Sequence, residues 1–242
     1  MPLQIRSAVE LDHLVVACAT LVQGDAWLRR LAGVPSAPGG SHPGWGTHNR
    51  LLRLDARTYL ELIAPDPAQP APALPRPFGL DDPELRRRVA QRPRLVHCVC
   101  RVPRLDEATA RAHGYDAGAI VPMTRGALSW RITMPADAAS AARRWSDAGR
   151  LQPTLIEWSG GAKPERHPLD ALAPSGVTLL RLRVQAPEDP ALSTALSTTL
   201  SATHPATLSA ALRDDPRLVI ARALQPALGA ELSTPQGWRL ID

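Results

Sequence analysis

A chain of 242 residues that is 44% hydrophobic has enough apolar surface to bury a substantial core, as one large domain or two small ones. Its net charge of +5 rests on 28 basic residues, of which only Lys163 is a lysine; they are dispersed, and no aromatic-rich RNA-binding signature accompanies them, which disfavours nucleic acid as a partner. Nowhere do the roughly 18 uninterrupted apolar residues of a membrane span occur.

In chain order, Leu11 to Cys18 alternates as a strand, and Trp27, Leu28 and Leu31 recur at helical spacing after Gly24-Asp25 until Gly33 stops them. A Gly/Pro-punctuated segment, Pro38 to Thr47, leads into a strand His48–Leu54, a turn at Asp55 to Arg57 and a strand Thr58–Ala64. With the Gly/Pro-punctuated segment as its remaining extended piece, the module 10–64 reads β-α-β-β-β. Residues 65–93 carry eight of the 25 prolines, which forbids strands, disfavours helix through most of the stretch and predicts a linker draped over the surface.

Residues 94–158 repeat the order, with a strand at 95–102, a helix from Asp106 to His113-Gly114, strands near 117–123 and 127–134, and a last strand at 153–158. His13 and His97 are 84 positions apart, Glu61 and Glu157 are 96 apart, and the difference places an insertion of twelve residues in the Ala-rich stretch 136–150. After a second Gly/Pro-rich connection, a strand 177–186, a helix 188–201 and strands near 207–212, 217–224 and 227–241 form a third, degenerate module with neither His nor Glu at those places. The expected division is 1–172, holding both modules and the linker, and 173–242, the additional unit.

Each module brings a histidine on its first strand and a glutamate on its last. A single histidine in an apolar strand is more often hydrogen-bonded within the core, and a lone glutamate there can face solvent. Glu61, between Leu60 and Leu62, and Glu157, between Ile156 and Trp158, have apolar neighbours on both sides, so each strand is covered on both faces and an unpaired carboxylate would be costly. If the modules pair about a pseudo-twofold axis, His13, Glu61, His97 and Glu157 converge as a His₂Glu₂ set suited to Zn²⁺, Ni²⁺, Co²⁺, Fe²⁺ or Mn²⁺.

Paired β-α-β-β-β modules with these residues resemble the vicinal oxygen chelate superfamily of glyoxalases, extradiol dioxygenases and bleomycin and fosfomycin resistance proteins. The segment Gly40-Ser41-His42-Pro43-Gly44-Trp45-Gly46-Thr47-His48-Asn49, followed by Tyr59-Leu60-Glu61-Leu62-Ile63-Ala64-Pro65, is similar to the glyoxalase-like domain proteins within it. The resemblance covers about 10–160 and implies an α+β fold in which paired modules form one curved sheet. It implies four metal ligands at His13, Glu61, His97 and Glu157, and an isomerase, epimerase or lyase acting on a small substrate with vicinal oxygens. The ion would stabilise an enediolate while Glu157 or Glu61 moves the proton. No equivalent of the glutathione-binding arginines of glyoxalase I is found, and the third module lies outside the usual two-module unit.

Trp45, His48 and Asn49, on a loop made pliable by Gly39, Gly40, Gly44 and Gly46, offer stacking and hydrogen bonding to a substrate, although a glycine-rich hairpin with incidental polar residues explains them equally well. Arg131 suits an anionic substrate; alternation puts Trp130 and Arg131 on opposite faces, so at most one reaches the cavity. His113, His167 and His204 receive no role. Two other functions stay open: a metal-free binding or resistance protein holding an aromatic or cationic molecule beside Trp45, and an Fe²⁺-dependent extradiol dioxygenase. A monomer and a module-exchanging homodimer are equally compatible with the length. The odd thiol among Cys18, Cys98 and Cys100, and the lack of an apolar stretch in Met1 to Glu10, point to the cytoplasm.

Overall fold

The computed structural model describes residues 9–107, 109, 117–147, 149–158, 166–186, 212 and 215–242. Strand β1 (Glu10–Ala17) leads into helix α1 (Leu21–Ala32), which starts where the Thr20 hydroxyl accepts the Gln23 N–H and stops at Gly33. Gly33 adopts φ 76°, a left-handed conformation that glycine reaches without a Cβ clash. Strands β2 (Ala37–His42), β3 (Thr47–Arg53) and β4 (Tyr59–Pro65) complete the first module. The Gly/Pro-rich segment is therefore itself a strand; Pro38 is tolerated there because β2 lies at the edge of the sheet.

The second module comprises β5 (Arg94–Arg101), β6 (Ala119–Arg125), β7 (Leu128–Met134) and β8 (Thr154–Trp158). The side chain of Asp106 accepts the Thr109 N–H at 2.8 Å, as an N-cap does, while most of the helix expected after it lies outside the described residues. Between β7 and β8 the expected insertion contains a short helix, Ala138–Arg144.

The eight strands form one sheet in the order β2-β3-β4-β1-β5-β8-β7-β6, with β1 and β5 antiparallel at its centre, β4 parallel to β1 and β8 parallel to β5. The two quartets are thus related by a pseudo-twofold through the β1–β5 seam. The sheet curls into a half-barrel, and its edge strands β2 and β6 approach each other. This is the α+β architecture of the vicinal oxygen chelate fold.

Two β-bulges interrupt the seam. Leu11 pairs with Cys100 and His13 with Val99, leaving Asp12 as the extra residue; Val15 pairs with His97 and Val16 with Leu95, leaving Val96. A bulge turns two consecutive side chains to the same side. Each bulge residue directly precedes one of the paired histidines, and the pairings His13↔Val99 and Val15↔His97 make those histidines structural equivalents.

On the convex face Leu14, Val16, Leu60 and Leu62 pack with Leu28 of α1, and Leu60→Ala there should cost ~2–5 kcal/mol. The C-terminal strands β9 (Thr178–Ala186), β10 (Leu218–Arg222), β11 (Ala227–Thr234) and β12 (Gly237–Ile241) add Leu182, Val184 and Leu232 to that same core. They form a second sheet in the order β10-β9-β11-β12, in which β9 is parallel to β10 and antiparallel to β11. The first strand here is interior and the residues 227–241 make a hairpin, so the strand order differs from that of the two modules. The expected helix 188–201, and the strand near 207–212 apart from Leu212, lie outside the described residues.

The linker differs from expectation in two respects. Helix α2 (Pro83–Gln91) forms within it, because Pro83 occupies the first helical turn, where its missing N–H is not needed, and the Asp82 side chain accepts from Leu85 N. The linker buries Phe78, Leu80, Leu85 and Val89 against the concave side rather than lying over the surface. Cys18, Cys98 and Cys100 are buried and unpaired on the convex side. No helix among the described residues is long and apolar enough to cross a membrane.

Candidate functional site

The concave side holds a cavity lined by residues of both modules. Its two walls differ in chemistry. The first module contributes His13, His42, Thr47, Asn49, Tyr59 and Glu61, with Ile63 as its apolar exception, whereas the second contributes Met123, Trp130, Ile132, Met134, Ile156 and Trp158, with Arg125 as its charged exception. Pro77 and Phe78 of the linker and Trp45 of the β2–β3 turn also line it.

The centre of the polar wall is His13. Because of the bulge, Asp12 lies beside it on the concave side and is fully buried. Burial alone would raise the Asp12 carboxyl, but hydrogen bonds from His13 and His167 hold it well below the ordinary carboxylate range. An ionised carboxylate only accepts hydrogen bonds, so His13 donates from Nδ1 to Asp12 Oδ1 at 2.7 Å. Asp12 Oδ2 accepts from Trp158 Nε1 and from His167 Nε2, both at 3.0 Å. The imidazole of His13 is also stacked on Tyr59, with ring centroids 4.5 Å apart. Its orientation and tautomer are thereby set, and Nε2 is the nitrogen left for the cavity, 3.6 Å from Glu61 Oε2.

Glu61 is steadied in turn. Asn49 Nδ2 donates to its Oε1 at 2.5 Å, while Asn49 Oδ1 accepts from Gly40 N and from Arg125 Nη1. The same Nδ2 lies 3.2 Å from His42 Nε2, and His42 Nδ1 is 2.9 Å from Thr47 Oγ1. Burial lowers the His42 pKa to about 4, against the opposing pull of Glu61, so this ring is neutral near pH 7.

The four expected ligands do not converge. His97 is the structural equivalent of His13, but its preceding residue is Val96 and both its nitrogens are engaged: Nδ1 donates to Arg150 O at 3.0 Å, and Nε2 accepts from Thr154 N at 3.1 Å. Burial lowers its pKa well below the ordinary histidine value. Phe78, which lines the cavity, lays its ring 5.2 Å from that of His97.

Glu157 lies on the opposite face of the sheet. Ile156 and Trp158 face the cavity, so by strand alternation Glu157 points outward, where Leu105 N donates to it at 2.6 Å and Arg131 pairs with it. The register explains the miss. Glu61 pairs with Val15, two residues after His13; two residues after His97 is Val99, which pairs with Thr154. Thr154, three positions before Glu157, therefore holds the equivalent place, and an odd offset reverses the face.

These positions do not fit the four-ligand metal centre, since only His13 and Glu61 present donors to the cavity. Nor do they assemble the two-histidine, one-carboxylate set of a dioxygenase. Among the described residues no group of three or more His, Cys, Asp or Glu side chains is placed to hold a metal ion.

Of the residues expected to bind substrate, Trp45 and Asn49 line the cavity. His48, between the inward Thr47 and Asn49, faces away with Nδ1 3.8 Å from Asp66, and Arg131 is occupied with Glu157 outside. Sequence reading missed Asp12, His42 and His167. The Asp-His dipeptide was a visible signal, but only a bulge makes it useful; His42 lay in a segment without strand periodicity, and His167 in a loop.

A sequence profile described as a glyoxalase-like domain matches residues 11–200. No curated protein matches the sequence. Among solved structures, a hypothetical protein from Staphylococcus aureus is similar at 15% identity and a TM-score of 0.46, over 78% of this chain and 74% of that one. A methylmalonyl-CoA epimerase from Mycobacterium tuberculosis is similar at 20% identity and 0.38, over 65% of this chain and 93% of that one. A hypothetical protein from Bacillus halodurans is similar at 16% identity and 0.38, over 66% and 99%.

Proposed function

The chain belongs to the glyoxalase-like domain family, within the vicinal oxygen chelate superfamily, and from that premise we propose that it is an acid–base enzyme moving a proton on a small carbonyl substrate, as an isomerase or epimerase does. The observation that carries this reading is the orientation of His13: Asp12 holds Nδ1, and the remaining nitrogen faces the cavity beside Glu61. A proton on carbon next to a carbonyl is acidic enough for a positioned imidazole to remove, and His13 Nε2 is the base. The imidazolium so formed stands between Asp12, which accepts from Nδ1, and Glu61 on the side of Nε2. Glu61, steadied by Asn49, is placed to exchange a proton with the same intermediate, so the proton can return to a different carbon or a different face.

In this reading the chemistry does not call on the four-ligand ion that the superfamily resemblance implies. Both modules contribute to the cavity within one chain, so exchange of modules between copies is not required. The apolar wall supports a second reading, a binding protein that holds an aromatic molecule against Trp130 and Trp158 without turning it over.

The test is deuterium incorporation at the carbon adjacent to the carbonyl, followed by NMR in D₂O across a panel of small 2-oxo acids, hydroxy ketones and 2-substituted thioesters. The expected result is enzyme-dependent exchange that persists after chelation and is lost in His13→Ala. No exchange across the panel would leave the binding protein in its place. Exchange abolished by chelator and restored by a divalent ion would return the metal-dependent reading.

A further inference from the structure

Arg125 crosses from the edge strand β6 to the polar wall. Its Nη1 donates to Asn49 Oδ1 at 2.8 Å, and its Cδ lies only 2.6 Å from where a Cβ on Gly40 would stand. Glycine at position 40 thus lets this side chain lie against β2. The guanidinium is half-buried and lines the cavity, yet it has no acidic partner among the described residues. Arg50, Arg101, Arg131 and Arg217 each stand within 4 Å of a carboxylate. A guanidinium carries five N–H donors in a rigid fork, so most of those of Arg125 remain for a molecule that enters. Asn49 holds Arg125 with its oxygen and Glu61 with its nitrogen, placing the cation and the acid at opposite ends of one amide.

Opposite that amide the cavity is apolar. Trp130 and Trp158 lie 5.4 Å apart with their rings tilted by 44°, flanked by Ile132 and Ile156. We infer that the cavity selects small monocarboxylates with an aromatic or branched apolar body, the carboxylate forking onto Arg125 and the body resting against the two tryptophans. A partly desolvated guanidinium without a counter-ion is matched best by a planar carboxylate. Glu61 makes the rest of the polar wall acidic, so a second carboxylate on the ligand is rejected. The inference names the substrate class of the proposed reaction and rests on the same cavity, but binding tests it without any turnover.

The experiment is calorimetric titration of the full chain with 3-phenylpropionate, 3-phenylpropionamide and phenylsuccinate. Since a charge-assisted pair outweighs a neutral hydrogen bond, the monocarboxylate should bind roughly tenfold tighter than its amide, and tighter than the dicarboxylate. Arg125→Gln should abolish the preference for acid over amide, Arg125→Lys should keep part of it, and Arg181→Ala, on the outer sheet, should leave it whole. Because the titration needs no turnover, an acid preference found without deuterium exchange separates failure of the proton-transfer reading from failure of this one. Thermal melting checks that each variant folds; should Arg125→Gln not fold, Gly40→Ala displaces the guanidinium with its charge intact and should weaken the same preference. Equal affinity for acid and amide, no binding of either at millimolar concentration, or a preference unchanged in Arg125→Gln or its substitute overturns the inference.

Discussion

The two modules place a histidine at the same point of the same strand and surround it differently. In the first, the bulge residue before it is an acid, Asp12, and the residue across the neighbouring strand is Glu61; in the second these are Val96 and Thr154. His13 consequently has one nitrogen anchored and one facing the cavity, while His97 spends both on Arg150 and Thr154. One backbone arrangement thus yields a cavity-facing histidine in one half and a fully engaged one in the other. The difference lies in two neighbours rather than in the histidine. The apolar wall opposite His13 is the other product of that division, since a cavity polar on both sides would hold water better than a hydrophobic substrate.

The sharpest way to break the comparison is to delete each histidine in turn. His13→Ala should reduce proton exchange per folded molecule by roughly 100- to 10,000-fold, the range for removal of a general base, and it also lowers the urea midpoint because Asp12 loses a buried donor. His97→Ala should touch stability alone: it leaves Thr154 N and Arg150 O without their buried partner and opens a void, costing ~3 kcal/mol of stability. Exchange per folded molecule should stay within a few-fold of wild type, and a large loss there would show that His97 acts in the chemistry.

Asp12→Asn separates the anchor from the base. An amide cannot accept from His13, His167 and Trp158 as a carboxylate does, so the exchange rate should fall roughly tenfold or more as the preferred tautomer is lost, and its pH profile should move. A loss of stability alone, with an unmoved profile, would reduce Asp12 to a packing role.

Much of this contrast was legible in the sequence. The repeat, the strands of the two modules other than β2, the helix stop at Gly33 and the burial of Glu61 all follow from periodicity and from apolar neighbours on both sides. Flanking apolar residues reveal that a strand is covered on both faces, but not which face a given side chain takes. Glu157 satisfied the pattern as well as Glu61 did, and only the pairing Val99↔Thr154 shows it to be three residues out of register. The functional part of Asp12 was hidden for the same kind of reason, because alternation assigns adjacent residues to opposite faces unless a bulge intervenes.

Two smaller effects sharpen the picture. His42, at about 4, and His97 both have folded-state pKa values below the unfolded value near 6.5, so the unfolded chain binds more protons between those limits. Stability should therefore be full above about pH 6.5 and decline as pH falls towards 4, and chemical unfolding across that range should show a shallower decline in His97→Gln. Glu157→Gln should have the least consequence: it removes the charge opposite the partly exposed Arg131 while keeping an acceptor for Leu105 N, at about 1 kcal/mol, with unchanged exchange. A strong loss of exchange in that variant would show that Glu157 reaches the reaction by a rearrangement.

The extra residue at Asp12 also bears on how the chain finds its fold. The central seam can be zipped in neighbouring registers only by moving or erasing its bulges, and a slip of one residue would turn Leu14 and Val16 towards the cavity and carry His13 to the helix side. Misaligned pairings of β1 with β5 thus forfeit the convex core and leave the acid of residue 12 buried without its donors. The residue that anchors His13 is in this way also a checkpoint on strand alignment, and a chain that passes it arrives with His13 and Glu61 already side by side.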